Sequence, residues 1–156
     1  MHDQASYRTL WLIRKFASDL DFINDHPYEE VSVDGNLLLT TGVTALWTLF
    51  AGAGGTAYNN TNARIGVGDS STAEAAGQTA LQAATNKLFK AMSASYPTIS
   101  GNAITFRSAF ASAEANYTWN ELAVDNGTTL LNRKVSAQGT KASGQTWTID
   151  LTISLS

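Results

Sequence analysis

The sequence predicts a mainly β fold: an antiparallel β-sandwich or barrel-like domain with one or two short helices and an N-terminal arm. Three observations carry this expectation. Trp147, Ile149, Leu151, Ile153 and Leu155 alternate with Thr148, Asp150, Thr152, Ser154 and Ser156, and side chains along a strand point to opposite faces, so five apolar groups share one face. Further short apolar segments are separated by turn signals such as Asp34-Gly35, Asp125-Asn126-Gly127 and the Gly139–Gly144 stretch, which is the punctuation of an antiparallel sandwich or barrel. Hydrophobic residues make up 44% of the chain and charged residues only 15%, too apolar for disorder, with Thr, Ser, Ala, Asn and Gly in place of surface charge.

The elements follow in order. Residues 1–35 form the arm, beginning with Tyr7–Phe16, whose periodicity fits strand or helix. Asn24-Asp25-His26-Pro27 is a turn, because proline pushes the preceding residue out of the helical region. Glu30–Val33 is a short strand. Residues 36–156 form the β-rich domain. Its best helix spans 40–51, with Thr40 or Thr41 as the cap. Val43, Leu46, Trp47 and Phe50 at i, i+3, i+4 and i+7 make its apolar face, and Gly52, Gly54 and Gly55 end it. A second helix is expected over 78–92, with Leu81, Leu88 and Met92 on one face. Strands are expected at Ala63–Gly68, from Asn102 through Phe110, from Asn116 through Val124, at Leu130–Val135 and from Trp147 onward. Tyr117 and Trp119 are out of phase with Leu122 and Val124, the signature of a β-bulge.

The chain's 156 residues suit one domain with a sizeable core, and it contains no cysteine, which excludes disulfides and thiolate chemistry. The net charge is −3, and the only local basic groupings are Arg14-Lys15 and Arg133-Lys134; this is not the footprint of a nucleic-acid binder. The first residues lack the basic region and apolar core of a secretory leader. No apolar run reaches the length of a membrane span.

Candidate sites read as structural. Gly66-Val67-Gly68 lacks the third glycine of a dinucleotide loop, since position 71 is serine, and reads as a strand with close backbone packing. His2 lies at the chain end, and His26 is a solvated turn residue with no positioned acid. Asp19, Asp21, Asp25, Glu29, Glu30 and Asp34 do not match a calcium-loop pattern, as position 23 is isoleucine. Glu121 has no second carboxylate at a defined position and is expected to bind backbone amides or Arg133. Three of the four tryptophans, Trp11, Trp47, Trp119 and Trp147, are assigned to core faces. No catalytic residue, metal ligand or cofactor site is assigned.

Several segments together resemble tailed-bacteriophage virion proteins: Asn36–Gly42 with Leu46-Trp47, Ala63–Thr72, Ile104–Arg107, Ala115–Glu121, Leu131–Lys134, Gly139–Lys141 and Trp147–Leu155. They cover residues 36–156. The resemblance implies a virion structural protein and no enzyme, most simply a capsid decoration (cement) protein, alternatively a tail or fibre component. It implies as partners the major capsid protein or other virion proteins and further copies of the chain, with a homotrimer matching icosahedral threefold sites. It also implies location in the virion, assembled in the host cytoplasm. In this reading Tyr7, Trp11, Ile13, Phe16 and Phe22 of the arm form the partner interface, and removing residues 1–25 leaves a folded domain that no longer attaches. A carbohydrate-binding β-sandwich module is the alternative from another class, and it requires Trp11 or Trp47 to be exposed.

Overall fold

The computed structural model describes residues 6–156 and contains two five-stranded antiparallel sheets packed face to face. The first has the order β2 (Glu29–Asp34), β1 (Tyr7–Phe16), β10 (Thr146–Leu155), β7 (Ala103–Phe110), β6 (Thr98–Ser100). The second has the order β3 (Leu37–Leu38), β9 (Leu130–Thr140), β8 (Thr118–Asp125), β4 (Arg64–Gly68), β5 (Lys87–Ala91). Two helices, α1 (Asp19–Ile23) and α2 (Thr40–Phe50), complete the described elements. The architecture is a sandwich rather than a closed barrel.

The segment that fits either helix or strand is a strand. β1 pairs with β10 from Tyr7 opposite Leu155 to Phe16 opposite Thr146, and with β2 on its other side. Alternation then sends Trp11 and Ile13 inward, beside Ile149 and Leu151. Both neighbours supply a ladder that a helix in this position would leave unpaired, and a buried unpaired backbone is costly. Strands β1 and β2 are therefore part of the first sheet of the sandwich. Between them, Ser18 caps α1 through its Oγ, which accepts from the Asp21 amide.

The core lies between the sheets. Trp147, Ile149, Leu151 and Ile153 are buried as their alternation predicts, whereas Leu155 is exposed at the strand's end. Trp119 sits edge-on between Phe110 and Trp147, with ring centroids 4.9 Å from each. The expected phase slip in β8 is present: the β8–β9 register shifts between Trp119 and Glu121, so Trp119, Leu122 and Val124 all reach the core.

The expected helix over 78–92 does not form. Residues Lys87–Ala91 are strand β5, paired with β4. Leu81 and Leu88, placed on one helical face by the sequence, belong to different clusters on opposite sides of the second sheet. Phe89 lies over Gly66, where an added Cβ would stand 2.5 Å from its ring, so pairing and packing override the local helical preference. The reading of Gly66 as a point of close backbone approach is thereby met.

Candidate functional site

Of the five expected partner residues, Tyr7 and Phe22 are exposed and the other three are not. Trp11 and Ile13 are fully buried because the inner face of β1 is the core, and Phe16, on the opposite face at the strand's end, is fully buried next to α1. Phe22 packs edge-on against Phe16 at 5.4 Å, and the Tyr7 hydroxyl donates to Asn36 Oδ1. The acidic run is likewise dispersed. Asp25 pairs with Arg14 and Glu29 with Lys15, Asp19 accepts from Ser112 and Thr146, and Glu30 and Asp34 stand exposed. His26 is exposed in its turn; His2 lies outside the described residues. Among the described residues no group of three or more His, Asp or Glu side chains converges.

The feature that stands out is α2. It sits on β9 through Gly42, whose missing side chain is essential: a Cβ there would lie 2.3 Å from the Leu131 carbonyl oxygen. Ala45 and Leu49 pack inward on the same flank. The face predicted to be buried is instead turned outward. Trp47 is 65% exposed, Phe50 83% and Leu46 40%. Trp47 and Phe50 meet edge-to-face with centroids 5.9 Å apart, making an aromatic ridge. The helix turns this way because close approach to a sheet is possible only along its smallest side chains. The expected threonine cap is also absent: Leu39 is the N-cap without a side-chain bond, and the Thr40 amide donates to Ala76 O at 2.9 Å.

Beside the ridge runs an open groove of about 410 Å³, walled by Thr41, Thr44 and Thr48 of α2 and, opposite, by Thr56 and Thr128. Thr44 and Thr48 donate their hydroxyls to the carbonyls of Thr40 and Thr44 one turn back. Those hydroxyls are thus already paired within the helix. The far wall is the β8–β9 turn, built by Asn126. Its Oδ1 accepts from the amides of Thr128 and Thr129, and its Nδ2 donates to Thr56 O at 2.6 Å, fastening the turn to the segment that leaves α2. The Tyr58 hydroxyl donates to Thr129 O at 3.0 Å; burial, with Asp125 nearby, raises its pKa to about 12. No Asp, Glu, Lys, Arg or His occurs from Gly35 through Ala63, so ridge and helix carry no formal charge.

A buried ion pair holds this region from behind. Glu121 and Arg133 are fully buried, with Arg133 Nε donating to Glu121 Oε2 at 2.7 Å. Glu121 also accepts the amides of Gln82 and Ala83 at 2.9 and 2.7 Å. Arg133 Nη1 donates to Thr72 O and Gln78 Oε1. Residues 69–86 are thereby drawn across the outer face of the second sheet, and this segment supplies the Ala76 carbonyl at the start of α2. Gly68 leaves room for the arrangement, since a Cβ there would lie 2.4 Å from Glu121 Oε1. Both expected partners of Glu121, backbone amides and Arg133, are found. A second buried cation, Lys141, donates to Ala111 O, Glu114 O and Asn116 Oδ1 at 2.7–2.9 Å, and fixes the loop before β8. Burial lowers its pKa, opposed by Glu114 and Asp19.

Sequence reasoning identified the residues of the ridge but assigned them inward. The signal that could have corrected it was Gly42 at the helix start, a mark of close helix–sheet contact. Such an arrangement can bind by apolar contact and offers no nucleophile–base pair in the groove. Comparison of the chain with known protein families, with curated proteins and with solved structures finds no match.

Proposed function

We propose that this chain is a structural assembly protein of a bacteriophage virion, a capsid-decorating component bound to the major capsid protein lattice. The observation that carries the assembly reading is the uncharged Leu46-Trp47-Phe50 ridge: soluble monomers seldom leave contiguous large aromatics in water, and such patches mark docking surfaces. The sequence resemblance over residues 36–156 supports the virion setting. The partner-interface role first given to Tyr7, Trp11, Ile13, Phe16 and Phe22, whether towards the shell or towards neighbouring copies, passes to α2 and the groove. Quantitative mass spectrometry of purified virions, with electron cryo-microscopy, tests the reading. Hundreds of copies over the shell are expected; a few copies at the tail indicate a tail component, and absence from the particle overturns both.

The exposure of Trp47 beside a groove favours a second reading, a carbohydrate-binding module. Sugar platforms present the flat face of an aromatic ring, whereas Trp47 abuts Phe50 edge-to-face on a convex helix, so we place this reading second. Titration with a glycan panel, followed by tryptophan fluorescence, is expected to give no saturable shift. A saturable shift abolished by Trp47→Ala supports the carbohydrate reading instead.

A further inference from the structure

We infer that α2 is a self-association face, on which the Leu46-Trp47-Phe50 ridge of one copy enters the threonine-walled groove of a second copy, and reciprocally. The inference deepens the assembly reading by naming the partner of this surface.

Three observations choose a second copy as the occupant. The first is shape. Ridge and groove occupy adjacent flanks of one helix. A twofold axis beside α2 would bring each ridge over the other copy's groove, the self-complementary arrangement of an isologous pair. The second is polarity. Thr44 and Thr48 have their hydroxyls bonded within the helix, so an incoming indole or benzyl group need not strip a hydrogen bond from them. The third is charge. A surface that meets its own copy meets its own charges, and like charges placed together are repulsive. The segment from Gly35 to Ala63 carries none, although the chain has a net charge of −3. A basic or acidic partner would find no complementary charge on this helix.

The size of the contact sets its strength. An aromatic side chain buries about 150–250 Å², so two from each copy bury roughly 600–1,000 Å² in all. Stable interfaces bury about 1,200–2,000 Å². The pair is therefore weak and reversible alone, with a dissociation constant on the order of tens to hundreds of micromolar. It becomes persistent only where neighbouring copies are held close on a larger surface.

The test is sedimentation equilibrium of the full chain from about 10 μM to about 1 mM, bracketing that constant. The wild-type chain is expected to form a dimer reversibly. Phe50→Glu and Thr44→Arg both change exposed positions, so the fold is retained, which near-ultraviolet circular dichroism checks. Each variant alone is expected to weaken dimerisation by more than roughly tenfold. Mixed in equal amounts, the two variants are expected to recover association. In the mixed pair the acidic ridge meets the basic groove, while the intact ridge meets the intact groove. A purely structural effect of either substitution would not produce this recovery. A chain that stays monomeric throughout, a dimer indifferent to Phe50→Glu, or a mixture that fails to reassociate overturns the inference. The outcome is separable from that of the assembly reading. A monomer present on virions removes the self-association face and keeps the assembly role; an α2 dimer absent from virions does the reverse.

Discussion

Replacing Glu121 with alanine tests how the outer layer of this fold is held. In the folded chain Arg133 is fully buried and, among the described residues, its carboxylate partner is Glu121, which also accepts the Gln82 and Ala83 amides. Glu121→Ala removes the counter-charge from a buried guanidinium and two acceptors from backbone donors. Stranding one member of a buried pair costs about 3–5 kcal/mol, because the remaining charge keeps its desolvation penalty without its partner. A domain of this length has about 5–15 kcal/mol in total. The variant should therefore fold but be fragile, with a melting temperature lower by roughly 6–20 °C at about 2–4 °C per kcal/mol. Urea denaturation followed by tryptophan fluorescence measures the loss. Limited proteolysis adds a local readout: residues 69–86 lose their anchor at Gln82 and Ala83, so cleavage should appear there first. The double variant Glu121→Ala with Arg133→Met removes both charges and should be more stable than Glu121→Ala alone. A loss below about 1 kcal/mol for Glu121→Ala, with residues 69–86 still resistant, would refute the reasoning and place the pair among groups of little energetic consequence.

Three other perturbations follow from the geometry. Gly→Ala inside a helix normally stabilises by about 0.5–1 kcal/mol, but Gly42→Ala should destabilise by about 1–3 kcal/mol, since its Cβ would collide with the Leu131 carbonyl; chemical denaturation decides the sign. Deletion of residues 1–16 removes β1 from between β2 and β10 and should leave no cooperative thermal transition by circular dichroism, in contrast to the folded remnant expected of an N-terminal arm. Tyr58 ionises more readily in the unfolded chain, because burial raises its pKa from 10.0 to about 12. Its contribution to stability is complete below pH 10 and is lost as the pH climbs towards about 12. Tyr58→Phe should cost about 0.5–1.5 kcal/mol at neutral pH through the bond to Thr129 O and flatten the alkaline fall in melting temperature relative to the wild-type chain.

The sequence by itself determined those features that depend on local chemistry. Alternation in Trp147–Ile153 specified a half-buried strand, since side-chain direction in a strand depends on parity alone. The phase slip between Trp119 and Leu122 specified the bulge, Gly52 the helix end, and Glu121 beside that bulge its partnership with Arg133 and backbone amides. Tertiary structure decided what depends on distant partners. Tyr7–Phe16 became a strand because β10 and β2, more than a hundred residues apart in sequence, supply ladders on both sides. Lys87–Ala91 became a strand because β4 offers an edge and Gly66 admits Phe89. The orientation of α2 was beyond any periodicity argument: a helical wheel locates an apolar stripe but says nothing about which flank can approach a sheet. Here the contact at Gly42, Ala45 and Leu49 fixed that flank, and the larger residues Leu46, Trp47 and Phe50 were left facing water.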